Sequence, residues 1–210
     1  MPKFKKMLWI ILGLIGLVTL IQTSTVLGIE YSQAKENAKQ LNAFDINPNA
    51  AKTLVAYFSR SGNTELMAYK IAEVTNGNIL NIQSPDYKLG LKGWIQAMVD
   101  ARKMRAVLAT KKLDLSTYDT IYVGSPIWLY SPAPPVFEFV RNNDFTGKTV
   151  ILFNSLNSKF EQKYINQFSD LVNVQGGRVI KHIYVIRGRM TRQLDVEDFL
   201  REVAKESKID

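Results

Sequence analysis

Thr53 to Glu73 reads TLVAYFSRSGNTELMAYKIAE, and this stretch decides the fold. Its opening, Thr53–Phe58, is a short apolar run of the kind that forms a strand buried on both faces. The run stops abruptly at Ser59-Arg60-Ser61-Gly62-Asn63-Thr64. A helix follows in which Ala68, Ile71, Ala72 and Thr75 share one face, and Asn76-Gly77 ends it.

The same alternation repeats outward along the chain. Asn78–Ile82 can form a second strand, and Leu91, Trp94, Ile95 and Met98 recur with the period of an amphipathic helix reaching about Val107. Trp94 is expected in the core or as half-buried cover. Thr120–Gly124 is a third strand, followed by a loop from Ser125 to Pro135 that carries Trp128 and Tyr130. Pro134 and Pro135 fit the first turn of the next helix, where a missing amide proton costs nothing. Thr149–Phe153 is a fourth strand and Arg178–Ile186 a fifth; helices marked by Phe160, Tyr164 and Phe168 and by Val196, Phe199 and Val203 follow them. Asp195 is placed to cap the last. Five strands alternating with five helices give an α/β fold, a parallel sheet covered on both faces.

Three loops leave the carboxyl ends of these strands, where open parallel sheets bind ligands: Ser59–Thr64, Ser125–Ser131 and Asn154–Lys159. The first combines hydroxyls, an amide and a glycine with the start of a helix. Backbone amides and the helix dipole there favour an anion. Ser59, Ser61, Asn63 and Thr64 add side-chain donors, and Gly62 can adopt a backbone angle other residues resist. The loop holds no carboxylate; Glu65 comes just after it. That chemistry suits a phosphate monoester, while a plain helix cap is the competing reading. The Arg60 side chain is expected in solvent rather than on the phosphate.

Other phosphate-binding folds fail on residues. There is no Gly-x-Gly-x-x-Gly after the first strand and no Gly-x-x-x-x-Gly-Lys-Ser/Thr. With no cysteine, a thiol phosphatase, disulfides, zinc-thiolate sites, iron–sulfur clusters and lipoprotein-type lipidation are all excluded. A lone histidine, His182, argues against a multi-histidine metal site or a histidine triad, and is expected to be structural.

The quoted stretch resembles the opening strand, phosphate loop and first helix of flavodoxin-like proteins, with their Thr/Ser-x-Ser/Thr-Gly-Asn-Thr signature. Thr120–Val140, TIYVGSPIWLYSPAPPVFEFV, is similar to the third strand and second flavin loop of the branch carrying Gly-Ser-Pro-x-Trp. The resemblance covers Thr53 to about Val203. It implies a three-layer sandwich with strand order 2-1-3-4-5, and flavin mononucleotide (FMN) as cofactor at the switch between strands one and three, a placement general to this fold. It implies that Ser59, Ser61, Asn63 and Thr64 hold the FMN phosphate above the amides of Arg60, Ser61, Gly62, Asn63 and Thr64. Ser125, Pro126 and Trp128 would lie against the ring, with Tyr130 as a second ring contact. The third loop departs from the branch, which carries glycines here. Asn154, Ser155 and Asn157 would then offer side chains to the ring instead.

The first 28 residues are a separate matter. Lys3, Lys5 and Lys6 precede an apolar run from Met7 to Ile21, and the stretch to Gly28 is long enough for a tilted membrane span. A signal peptide is the alternative, but Val26 and Leu27 make a poor cleavage site before Ile29. A buried core helix is disfavoured by the lysine-then-apolar pattern. The expectation is a single-pass anchor in the cell membrane with a cytoplasmic N-terminus and the domain outside; the alternative is secretion after cleavage. Residues 29–52 read as a tether, a frayed helix running into Asn47-Pro48-Asn49, and 53–210 as the domain.

Net charge is +8, and without the three leader lysines 24 basic residues still face 19 acidic ones. Arg60 to Lys112 is especially basic, which favours an anionic lipid surface, an acidic or membrane-anchored redox protein, or a membrane quinone as partner. No nucleic-acid partner is expected. The function so implied is an FMN-binding electron-transfer protein at the membrane. The alternatives are an FMN-dependent quinone or small-molecule reductase, and a scaffold that kept the fold and lost the flavin.

Overall fold

The computed structural model of the chain describes residues 2–46, 51–189 and 192–207. The Asn47-Pro48-Asn49 linker lies outside them. Strands β1 (Thr53–Tyr57), β2 (Asn78–Asn81), β3 (Thr120–Trp128), β5 (Thr149–Leu156) and β6 (Arg178–Ile186) form a parallel sheet in the order β2-β1-β3-β5-β6. A short strand β4 (Ser131–Pro132) turns back antiparallel on the end of β3. Beyond β6, Gly188–Arg189 (β7) and Arg192–Gln193 (β8) pair as a small hairpin.

Alternation along each strand feeds two cores. Leu54, Ala56, Ile121, Val123, Val150 and Leu152 face helices α3 (Leu91–Lys103), α4 (Pro134–Asn142) and α5 (Gln162–Val174), which contribute Ala97, Phe137 and Phe168. Val55, Tyr57, Tyr122, Ile151 and Phe153 face α2 (Asn63–Thr75) and α6 (Val196–Glu206), which contribute Leu66, Ile71, Phe199 and Val203. Burying a side chain of this size contributes about 1.5–3 kcal/mol. Strands covered on both faces must be apolar on both, which is why they read as unbroken runs. The helix ends have local causes: Pro134 and Pro135 open α4, and the Asp195 carboxylate accepts from the Asp198 amide at 2.8 Å to cap α6.

Four details differ from the sequence reading. Helix α3 stops at Lys103 rather than Val107, with Met104 in the left-handed region at φ 51°. The stretch after Gly124 is a hairpin rather than a loop, because β3 continues to Trp128 and Leu129 (φ 45°) and Tyr130 (φ 72°) turn it back into β4. Trp94 is 41% exposed, so it lies outside the core.

The fourth difference is the N-terminal segment. Helix α1 runs unbroken from Pro2 to Leu41, roughly 60 Å at the rise of an α-helix. It is long and apolar enough to cross a membrane, and its apolar window has no residue buried. Its polar end does not fray. Asn37 is buried, and Leu41, Phe44 and Ile46 pack against the layer formed by α2 and α6.

Candidate functional site

Beyond the carboxyl ends of β1, β3 and β5 lies a cavity of about 220 Å³. Ser59, Arg60, Ser61, Asn63 and Thr64 form one wall; Pro126, Ile127, Trp128 and Leu129 form another; Ser155, Leu156 and Asn157 close a third. The three strand-end loops therefore converge. Gly62 stands at φ 90° as the N-cap of α2 and gives no side-chain cap to the helix, so the first-turn amides are left for another acceptor. The Ser59 hydroxyl oxygen accepts from the Gly62 amide at 3.1 Å, which fixes the turn. Thr64, 1% exposed, shares a 2.7 Å hydrogen bond with Ser155 and ties the first loop to the third. Glu65 accepts the Tyr57 hydroxyl at 2.6 Å.

Arg60 is not in solvent. Its side chain is 7% exposed, paired with the Glu30 carboxylate of α1, and it donates to the Gly90 carbonyl at 3.0 Å. Burial lowers its pKa. Glu30 Oε2 and Arg60 Nε are both buried without a hydrogen-bond partner. An unsatisfied guanidinium N–H beside the anion loop suits a phosphate oxygen.

Two groups escaped the sequence reading. The first is the polar face of α1. Glu30 and Gln33 line the cavity, and Asn37 Nδ2 donates to the Ser61 carbonyl at 2.8 Å and to Asn63 Oδ1 at 3.0 Å. Their helical spacing was the available signal. The second is Arg187, just past β6, which is 4% exposed and lines the cavity. Its Nε approaches Asn63 Oδ1 at 3.4 Å, Nη1 donates to the Leu194 carbonyl, and the guanidinium lies 5.3 Å over the Phe199 ring. Desolvation lowers its pKa, against smaller opposing effects of Glu36 and Asp195. No motif marks it.

The second loop is braced from behind. Trp128 packs edge-on against Phe58 and Tyr87, with centroids 5.5 and 5.2 Å away. Ser125 and Asn154 are fully buried and outside the cavity lining; Asn154 Nδ2 donates to the Ser125 carbonyl at 2.7 Å, and Ser125 Oγ accepts from the Ala133 amide. His182 Nε2 meets Asn154 Oδ1 at 2.9 Å. Desolvation holds the His182 pKa down at about 4, so the neutral ring is a fixed strut. Tyr130 is also outside the lining, 43% exposed beneath Lys159.

These residues can bind one anion through amides, hydroxyls and two guanidinium groups, beside an aromatic wall. A family model described as flavodoxin matches residues 52–199.

The chain belongs to the flavodoxin family.

That membership supports FMN as the cofactor, and the residues present suit it: donors and cations for a phosphate line the same cavity as a tryptophan and a proline. Two solved structures are similar to this chain. One, from Bacteroides uniformis and assigned as a flavoprotein, is 29% identical, with a TM-score of 0.58 over 73% of this chain and 99% of its own. The other, a flavoprotein of Lactobacillus acidophilus in complex with FMN, is 23% identical, with a TM-score of 0.51 over 64% and 93%. No curated protein matches the chain.

Proposed function

We propose that this flavodoxin is an FMN-dependent electron-transfer protein held at the cell membrane by α1. The observation that carries the reading is the convergence of the Ser59–Thr64 loop, Arg60 and Arg187 on the cavity that Trp128 walls. Bound FMN supplies electron or hydride transfer at its ring. The chain's own residues bind and orient. Ser59, Ser61, Asn63 and Thr64, with the loop amides, hold the phosphate while Arg60 and Arg187 balance its charge. Pro126 and Trp128 shield the ring from water, and Ser155 and Asn157 offer it polar groups.

The anchor supports the location. Lys3, Lys5 and Lys6 at the head of an apolar helix favour a cytoplasmic N-terminus and a domain on the far side. A basic domain near lipid suits a membrane quinone or an anchored or acidic redox protein as partner. A second reading, an FMN-dependent quinone reductase, is favoured by the apolar side chains of Val26, Trp94 and Met98 in the cavity lining.

Anaerobic reduction of the flavin-loaded, full-length protein followed by mixing with a naphthoquinone tests both. Electron transfer without sustained NAD(P)H consumption fits the carrier. Steady turnover with NAD(P)H fits the reductase, and a flavin that neither gives nor takes electrons contradicts both.

A further inference from the structure

Helix α3 has two apolar faces, and the domain uses the smaller one. Gly93, Ala97 and Ala101 are its buried residues. A Cβ at Gly93 would stand 2.0 Å from the Lys88 carbonyl oxygen, so the close approach requires glycine. At about 100° per residue these three lie on one line of the helix surface. The larger residues lie on another: Leu91 is 45% exposed, Trp94 41%, Ile95 49% and Val99 37%. Met98, on the same side, packs against the core, but the domain leaves the other four more than a third exposed and does not complete their cover, although their spacing is that of a buried face.

Two observations identify what does. The first is continuity with α1. Trp94 and Met98 line the cavity together with Val26. A Cβ at Gly90, the N-cap of α3, would lie 3.3 Å from the Tyr31 hydroxyl, and Arg60 joins the Gly90 carbonyl to Glu30. The first half of α3 thus sits beside residues 26–31, where the unburied apolar length of α1 gives way to its polar end. The second observation is charge. Lys92, Arg102 and Lys103 are exposed on α3, with Lys88 and Arg105 just beyond its ends. Its one carboxylate, Asp100, is occupied by the Tyr87 hydroxyl at 3.0 Å and Gln96 at 2.8 Å. A tryptophan-bearing apolar stripe with cationic margins is the composition of a helix lying in a lipid interface. Long basic side chains there keep their stems on apolar surface and their charges at the headgroups.

We infer that α3 lies in the interface of the membrane α1 crosses, with Leu91, Trp94, Ile95 and Val99 at the headgroup–acyl boundary of an anionic leaflet. The inference rests on α1 spanning that membrane. It adds a second contact, which fixes the orientation of the domain and brings the cavity wall of Val26, Trp94 and Met98 to the bilayer surface. A lipid-dissolved electron partner then approaches along that wall.

The chain has no cysteine, so single labels are unambiguous. Full-length Leu12→Cys, Ile95→Cys and Val174→Cys, each carrying an environment-sensitive fluorophore, are reconstituted into phosphatidylcholine–phosphatidylglycerol vesicles. Val174 is 79% exposed at the end of α5 and reports a surface away from the stripe. A lipid-borne quencher should reach the labels at 12 and 95, and aqueous iodide only the one at 174. In pure phosphatidylcholine the lipid quenching at 95 should fall several-fold while that at 12 persists. An iodide-accessible label at 95 with a lipid-embedded label at 12 overturns this inference alone. An aqueous label at 12 overturns the span and the inference with it. A label at 95 shielded from both quenchers means that protein, a second copy or a partner, covers the stripe, and overturns it as well.

Discussion

The Glu30 carboxylate of α1 is paired with the Arg60 guanidinium of the anion loop, thirty residues further along the chain. Helix α1 therefore places a negative charge beside the Ser59–Thr64 loop, to which the proposed function assigns the cofactor's phosphate. Arg60 has two claimants for its charge, one internal and one on the ligand.

Glu30→Gln removes the internal claimant. FMN affinity should rise about tenfold, the size of one charge contact in a partly buried site, while riboflavin affinity stays level. The flavin-free protein should lose stability, since breaking a buried pair costs up to about 3–5 kcal/mol and a pair with some exposure loses less. Parallel fluorescence titrations and thermal melts of the full-length protein check this. Weaker FMN binding in the variant would mean that Glu30 helps hold the cofactor.

Arg187→Gln should act in the opposite direction. The variant keeps a donor near Asn63 Oδ1 but loses the charge facing the cavity. A charged hydrogen bond is worth about 1.5–3 kcal/mol, so FMN affinity should fall at least about tenfold with riboflavin little changed. Equal losses for both flavins would assign Arg187 to structure, through its contacts with Leu194 and Phe199.

Trp128→Ala should weaken both flavins alike, by about 1–3 kcal/mol, and shift the flavin potential as water reaches the ring. In the unaltered protein, tryptophan fluorescence should be quenched on flavin binding. An unchanged affinity and potential would leave Trp128 as cover for Phe58 and Tyr87.

The ordinary histidine pKa is near 6.5, and in the fold His182 lies at about 4. Between those values the unfolded chain takes up a proton that the folded chain refuses. His182 therefore contributes no penalty above pH 6.5, and stability falls as pH drops from 6.5 towards 4. The full penalty is at most about 3 kcal/mol. Denaturant midpoints at pH 7 and pH 5 should differ more for the unaltered protein than for His182→Gln, which keeps a donor towards Asn154. Equal differences would show that other groups set the slope.

What was legible in the sequence was the periodic part. Arg178–Ile186 is a strand with the same ends in both readings, and Pro134-Pro135 and Asp195 start helices where their chemistry predicts. The alternation of apolar runs with helical spacing was enough for the sheet. Several of the differences come from contact between residues far apart in the chain. The spacing of Glu30, Gln33 and Asn37 is visible, but its target, the Ser59–Thr64 loop, is not. The stripe on α3 is equally visible, yet only the close approach of Gly93 to Lys88 decides that the opposite face is buried. Arg187 follows a strand with no motif around it. Leu129 and Tyr130 hold left-handed angles that bulky side chains resist, so local preference gave no sign of the hairpin.

On the proposed function, the cavity takes FMN by its phosphate. Full-length protein, stripped of flavin and titrated with FMN and riboflavin in parallel, tests it directly. Binding through the phosphate should give a yellow complex that survives removal of excess FMN, with riboflavin bound at least about a hundredfold more weakly, the loss of two charged hydrogen bonds. A protein that stays colourless, or binds the two flavins equally, would contradict it.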